Sequence, residues 1–268
     1  MKTGPLVSIV TPCWNSQAYL EQTIQSIIGQ SYKNIEYIVI DGGSTDGTLE
    51  IIRKYGSHIS YWVSEPDGGM YQAINKGMGM AKGEIVAYLN SDDLYYPDTI
   101  SKVVSFFSNH PFADLVYGNL DFVDSEGRVL FTQIYPDFNW NRFVRSNYAT
   151  IGQPAAFWRR DLIEKIGLFD ESMRMAADFE YFVRAGKVAI LAYFPGVLAA
   201  FRMHEASLTS NQIEVSEREV LRIHAKYLES TASFSLRAAL LANDIYFKAI
   251  NWRAMLAKIG ISMGMKND

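Results

Sequence analysis

Asp92 and Asp93 stand side by side where the apolar run Glu84–Leu89 gives way to Asn90 and Ser91. Two adjacent carboxylates at the end of a buried strand repel each other and lose solvent. Either one keeps its proton or a cation neutralises them. Hard oxygen ligands suit Mg2+ or Mn2+, which take one or two protein carboxylates and fill the other positions with phosphate oxygens and water. A diphosphate would supply that second half. The same pair could instead shape a turn or cap before Pro97. Other polar residues fit one ligand. Asp41, followed by Gly42 and Gly43, could accept the N–H of a nucleobase. Trp14 could pack against that base or fill the core. Asp67-Gly68-Gly69 opens a helix, and glycines there let a ligand approach the backbone. Lys76 could reach a phosphate or stand solvated on its helix.

The elements that must position these residues alternate between two periods. Val7–Thr11, Ile35–Ile40, Ile59–Val63 and Glu84–Leu89 are short β-rich runs of the kind buried in a parallel sheet. Between and after them the spacing predicts helices near Gln17–Ile28, Gly47–Tyr55, Gly69–Ala81 and Asp98–Ser108, with Thr45-Asp46 and Pro97-Asp98 as start signals. Strands and helices in this order imply βαβ units. Each strand then delivers acids or amides to one rim, and in open α/β sheets ligands bind outside the carboxyl ends of the strands. Past residue 110, Leu115–Asn119, Phe122–Val123 and Val129–Ile134 read as a meander around Asp124–Gly127. Helices near Arg159–Lys165 and Asp178–Ala185 follow, then strands near Val188–Tyr193 and Val197–Arg202. From Ile213 the pattern is mostly helical, and no Gly/Ser/Pro linker separates the two halves. The predicted division is a domain over 1–210 and a helical extension over 211–268.

Composition narrows the class. The 268 residues are 49% hydrophobic and carry 25 basic against 29 acidic side chains. A net charge of −4 is not the basic footprint of a nucleic-acid binder. The single cysteine, Cys13, provides no internal disulfide and fits a reducing compartment. The N-terminal apolar run is too short for a secretory signal, and no window suits a spanning helix. The expectation is a cytoplasmic globular protein.

Four stretches then carry a resemblance: V7-S-I-V-T-P-C-W-N15, D41-G-G-S-T-D-G-T48, S64-E-P-D-G-G-M-Y-Q-A-I-N-K-G77 and G83-E-I-V-A-Y-L-N-S-D-D93. In this order and spacing they resemble the family 2 glycosyltransferases over roughly residues 6–100. The resemblance implies an α/β fold of the A-type glycosyltransferase kind: Rossmann-like, with a mainly parallel central sheet flanked by helices and a helical C-terminal extension. It implies a nucleoside-diphosphate-sugar donor, a UDP-sugar being favoured, and Mn2+ or Mg2+ as cofactor. Ser91 occupies the first acidic slot of the family's Asp-x-Asp motif. The resemblance makes Asp93 the direct metal ligand and puts Asp92 near ribose or metal-bound water. Thr11, Pro12, Asn15, Asp41 and Asp67 fall where the family grips the nucleoside.

M175-A-A-D-F-E-Y-F-V-R184 resembles the segment holding the family's catalytic base, with Ala177 in place of the first acid and Asp178 keeping the second. Transfer to an alcohol needs a base beside the acceptor hydroxyl, and a carboxylate at a helix start can serve; Asp178 could also cap that helix. Glu180 is the alternative acid on the acceptor side. F201-R-M-H-E-A-S-L-T209 resembles the segment whose His faces diphosphate or metal, so His204 and Arg202 are expected to stabilise the leaving group. G152-Q-P-A-A-F-W158 resembles an acceptor-side loop, where Gln153 could bind sugar. The implied reaction is inverting hexosyl or N-acetylhexosaminyl transfer to a saccharide or polyprenyl-linked saccharide, in bacterial surface-polysaccharide synthesis.

Two other classes compete. A non-catalytic nucleotide-sugar-binding protein would keep the donor rim without the reaction residues, against which Asp178 and His204 together argue. A nucleotidyltransferase would be expected to carry a Gly- and Arg-rich triphosphate loop, which T11-P-C-W-N-S-Q-A-Y-L20 lacks. From Phe234 the chain reads as a basic amphipathic helix with Arg237, Lys248, Arg253 and Lys258. It could lie peripherally on the cytoplasmic face of the inner membrane or pack on the domain.

Overall fold

The computed structural model describes residues 4–146, 150–205, 212–228 and Asn251. Its centre is β1 (Val7–Cys13), all seven residues of which are buried. A strand with both faces covered reads as a continuous apolar run, which is why VSIVTPC shows no alternation. β1 lies parallel to β2 (Ile35–Asp41) on one side and to β4 (Ile85–Tyr88) on the other, and β2 is parallel to β3 (Tyr61–Ser64). The sheet order is β3-β2-β1-β4, then β8 (Ala156–Arg159), β6 (Leu115–Val123), β9 (Leu191–Arg202) and β5 (Leu94–Tyr95), with β7 (Val129–Gln133) paired to β6.

Helices α1 (Leu20–Ile28), α2 (Thr48–Lys54), α3 (Met70–Met80) and α4 (Thr99–Asn109) form close to where the apolar spacing predicts them. α1 buries Leu20, Thr23, Ile24 and Ile27, a single face at helical spacing. Each of its large aliphatic side chains stabilises the fold by roughly 1.5–3 kcal/mol through burial. α3 lies directly on β1 because residue 77 is glycine; a Cβ there would overlap Val10.

The second half departs from a parallel sheet. β8 (Ala156–Arg159), which the sequence reading assigned to no strand, is inserted antiparallel between β4 and β6 (Leu115–Val123). Four residues are too few for periodicity to separate a buried strand from a helix start. α6 (Asp161–Ile166) accordingly begins after Arg159. β6 is continuous where two runs were expected. β9 is likewise a single strand, Leu191–Arg202, parallel to β6. Its register shifts where Phe194 faces Gly118 and Val197 faces Asn119, so Pro195 and Gly196 are accommodated as an irregularity; a proline without an N–H is tolerated at such a place. Val188 belongs to the end of α7 (Ala177–Val188) rather than to a strand. β5 (Leu94–Tyr95), a two-residue strand, pairs antiparallel with Ala199 and Ala200 of β9. The remaining α-helices are the four-residue α5 (Trp140–Phe143) and the fifteen-residue α8 (Ile213–Tyr227), the latter at the start of the expected C-terminal extension. The basic amphipathic stretch from Phe234 lies outside the described residues. Among those described, no helix is long and apolar enough to cross a membrane.

Candidate active site

The loops after β1, β2 and β4 are laced into one rim. The Asn15 N–H donates to Ser44 Oγ at 2.7 Å, and Asn15 Oδ1 accepts from the Thr45 N–H at 2.9 Å. Asn15 also has φ of 49°, a left-handed conformation that asparagine tolerates better than most residues. The Ser16 N–H donates to Thr48 Oγ1, and Ser16 Oγ bonds Ser91 Oγ at 2.7 Å. Asp46 accepts from the N–H groups of Thr48 and Gln17, capping α2 and holding the first loop at once. Asn15 is thus a brace of the rim.

Asp41 does not face a ligand. It is fully buried, and its two oxygens accept from the Gly43 and Ser44 N–H groups, the Ser44 and Ser64 hydroxyls and the Cys13 thiol. The expected nucleobase contact therefore needs another acid. Asp67 is exposed, and a Cβ on Gly42 would come within 2.9 Å of its Oδ2. The missing side chain at position 42 makes room for the Asp67 carboxylate beside the end of β2. Thr11 is buried with its hydroxyl taken by Tyr37, and Pro12 is buried in β1. Trp14 is 67% exposed, so it does not fill the core. Lys76 is paired with Glu65.

The β5–β9 pairing brings the end of β9 against the aspartates. Asp93 is fully buried; its Oδ1 accepts from the Arg202 N–H at 3.0 Å. Its Oδ2 meets no donor at hydrogen-bond geometry, although the Asn90 amide lies close enough to ease its charge. Burial, then the neighbouring Asp92 charge, pushes the Asp93 carboxyl well above the usual range. Asp92 is the carboxylate that reaches the rim, where its Oδ2 stands 3.0 Å from His204 Nε2. The acid expected to lead, Asp93, is the buried one, and Asp92, expected to assist, is the one beside His204. Adjacent residues leaving a strand point in different directions, which the motif letters alone do not resolve.

Arg202 is also corrected. Its guanidinium is fully buried, donating to the carbonyls of Asp92, Asp124 and Ser125 and to Gln22 Oε1, with Tyr19 beneath it. Four of its five N–H donors are taken and the group is buried away from the rim; the side chain holds Asp92 and the 124–125 turn in place. Arg202→Ala is expected to lose on the order of 3 kcal/mol or more, because several buried acceptors lose their donor. Arg202→Lys, without the planar fork, is expected to recover little of it. Urea unfolding checks both.

Asp178 lies in the first turn of α7. The Phe179 N–H and, at 3.5 Å, the Tyr71 hydroxyl donate to its Oδ1. Burial outweighs these bonds and raises its pKa to about 6. Tyr88, at the end of β4, is driven up by burial and then by the charges of Asp178, Tyr71 and Asp93. Both acids therefore lie within electrostatic reach of one tyrosine. Gln153 donates to the Tyr88 carbonyl at 2.8 Å and is buried, so it fixes that strand end. Glu180, the alternative acid, is buried; Arg184, Lys226 and Tyr227 all donate to it. Burial opposes its ionisation, but those bonds prevail and lower its pKa. It joins α7 to α8 and does not face an acceptor. Tyr71, which the motifs did not single out, is buried against Asp178, and Trp14 stands exposed at the end of β1; an aromatic at a strand or helix end gives no signal separating it from core.

Two side chains, Asp92 and His204, converge where a metal could sit. Asp92 Oδ2 and His204 Nε2 stand 3.0 Å apart in a hydrogen bond; a carboxylate and an imidazole are donor types that would suit Mn2+ or Mg2+ there. Among the described residues no group of three or more acidic, His or Cys side chains gathers to hold an ion. The pair fits an ion that completes its shell from substrate phosphates and water.

A largely parallel sheet ending in an acidic rim, extended by an antiparallel insertion that returns to that rim, is the fold of the A-type glycosyltransferases. Residues 8–167 match the family described as Glycosyl transferase family 2, and the chain belongs to that family. It is 33% identical over 224 residues to an uncharacterized glycosyltransferase of Rickettsia typhi, covering 80% of this chain and 70% of the relative. A PGL/p-HBAD biosynthesis glycosyltransferase of Mycobacterium bovis is 29% identical over 97% of both chains. The fold is shared with S. aureus TarS 1-349 in complex with UDP-GlcNAc, at TM-score 0.64 and 19% identity, covering 90% of this chain and 80% of that one. A longer TarS structure is matched over 40% of its length. Mannosyltransferase PcManGT from Pyrobaculum calidifontis, in complex with GDP-Man and Mn2+, matches at TM-score 0.62 and 21% identity, over 97% and 75% of the two chains.

Proposed function

We propose that this enzyme moves a hexosyl or N-acetylhexosaminyl group from a nucleoside-diphosphate donor to a hydroxyl of a saccharide or lipid-linked saccharide, inverting the anomeric centre. The observation that carries the reading is a buried acid of raised pKa in the first turn of α7, Asp178, sharing Tyr88 with Asp93, which lies beneath the Asp92–His204 rim. An acid with a pKa near 6 is ionised at neutral pH yet still basic enough to accept a proton. Asp178 takes the acceptor's proton as its oxygen attacks the anomeric carbon on the face opposite the diphosphate. The new C–O bond forms as the old one breaks, and the diphosphate leaves with the electron pair. Mn2+ or Mg2+ bound at Asp92 and His204 would offset charge on that leaving group. Trp14 offers its exposed face to the base, and Asp67 offers a carboxylate to a base N–H.

The nucleotides in the complexes of the structural neighbours, UDP, UDP-GlcNAc and GDP-Man, support a donor of this class, with a UDP-sugar favoured. The name of the mycobacterial relative supports glycolipid or surface-polysaccharide synthesis, in keeping with work at the cytoplasmic face of a membrane. The test is release of nucleoside diphosphate from a panel of UDP-, GDP- and dTDP-sugars with Mn2+. Release from one donor, stimulated by a saccharide acceptor and abolished by chelator, is expected. Donor binding without turnover under every condition would instead indicate a non-catalytic binding protein.

A further inference from the structure

Helix α8 lies beyond the stretch that matches the family, yet it grips the helix that carries Asp178. Glu219 of α8 is buried. Its Oε1 accepts from the Arg174 N–H at 2.7 Å, and its Oε2 from the Met175 and Ala176 N–H groups at 2.9 Å each. These three amides lead into α7, whose cap residue, Ala176, has no side chain able to satisfy them. Unpaired N–H groups at a buried helix start are costly, and here a carboxylate from another helix takes them. On the other side of Asp178, Lys226 and Tyr227 of α8 donate to Glu180. Ile223 is fully buried, and the His224 ring meets Phe179 edge-on.

We propose that Glu219 is a positioning residue for glycosyl transfer, fixing from a second helix where the Asp178 carboxylate stands. The inference rests on Asp178 being the base. Its geometric content is that one carboxylate of α8 gathers the N–H groups of residues 174–176, so the start of α7 just ahead of Asp178 is fixed by Glu219, while Lys226 and Tyr227 hold the next turn at Glu180. There is also an electrostatic consequence. Tyr71 faces Asp178 from α3, Tyr88 from β4 and Glu219 from α8. Glu219 is the acidic side chain among these, and its charge opposes ionisation of the base.

Glu219→Gln keeps the shape but removes the charge and can satisfy fewer of the three amides. In the purified full chain, kcat is expected to fall, by up to about 100-fold if the base shifts by an ångström. The KM for the donor stays unchanged, and the acidic limb of the kcat/KM profile moves to lower pH. A folded Glu219→Gln enzyme with wild-type kcat, or with its acidic limb unmoved, overturns the proposal. Glu219→Ala should lose more, but it can fail to fold, so the glutamine variant carries the test. Measuring Asp178→Asn alongside separates two failures. If that variant turns over normally, the base assignment falls. If it is inactive while Glu219→Gln behaves as wild type, only the role of Glu219 falls.

Discussion

Asp178→Asn is expected to be nearly inactive and more stable than the wild type at neutral pH. Loss of a general base costs about 100- to 10,000-fold in rate. The stability gain follows from the folded-state pKa, which burial raises from 3.8 to about 6. A carboxyl with a raised pKa contributes its stability while protonated. That contribution is complete below pH 3.8 and is lost as pH climbs to about 6. At pH 7.5 the native wild type therefore holds an unfavourable buried charge, worth at most about 3 kcal/mol for a shift of this size. Asparagine retains an oxygen for the Tyr71 and Phe179 donors without that charge. The melting temperature of the variant should exceed that of the wild type at pH 7.5, by roughly 2–4 °C per kcal/mol, and the difference should vanish near pH 4. In the wild type, kcat/KM should rise with pH along a limb centred near 6. A variant that is both active and no more stable would remove Asp178 from the mechanism.

That antagonism between stability and activity explains which parts of the site were legible in the sequence. The rim was legible because strand ends must change from apolar to polar, and four such changes in one parallel sheet converge on one edge. Asp178 was singled out through its surrounding motif, and the structure places it buried in the first turn of α7. What letters cannot convey is which acids are consumed by the scaffold. Asp41 looks like a ligand and is fully occupied by five donors from Cys13, Gly43, Ser44 and Ser64. Arg202 looks like an anion site and serves carbonyls and an amide. Glu180 looks like a spare base and is a tie between helices. In each case some of the deciding partners are remote in sequence: Cys13 and Ser64 for Asp41, Lys226 and Tyr227 for Glu180, and Gln22 reaching Arg202 across 180 positions. The fold behaved similarly. Long helices and central strands with clear periods were readable, whereas β5 and β8 are short segments defined by their neighbours, β9 and β4, rather than by their own composition.

The same distinction predicts opposite outcomes for two adjacent residues. Asp92→Asn should cost about 100-fold or more in donor-dependent turnover, the scale of losing one charge-stabilising group. It should also abolish the dependence of nucleoside-diphosphate binding on Mn2+. Asp93→Asn should remain within about tenfold of wild type. The reason is the state of each acid in the fold. Asp93 has its pKa raised by burial and by Asp92, so its neutral form is the one the fold favours. Asparagine imitates that form and keeps an oxygen for the Arg202 N–H. The sign is the same as at Asp178: stability from the protonated acid is lost as pH rises through a raised pKa. Asp93→Asn should therefore unfold at the wild-type temperature or above it at neutral pH. Asp92 stands at the rim within 3.0 Å of His204, and its replacement removes charge where a diphosphate and its ion would meet the protein. Calorimetry of UDP and GDP with and without Mn2+, run on both variants, decides between the two carboxylates. If Asp93→Asn lost metal-dependent binding while Asp92→Asn kept it, the ligand would be the buried acid, and the loop would have to open for the donor to bind.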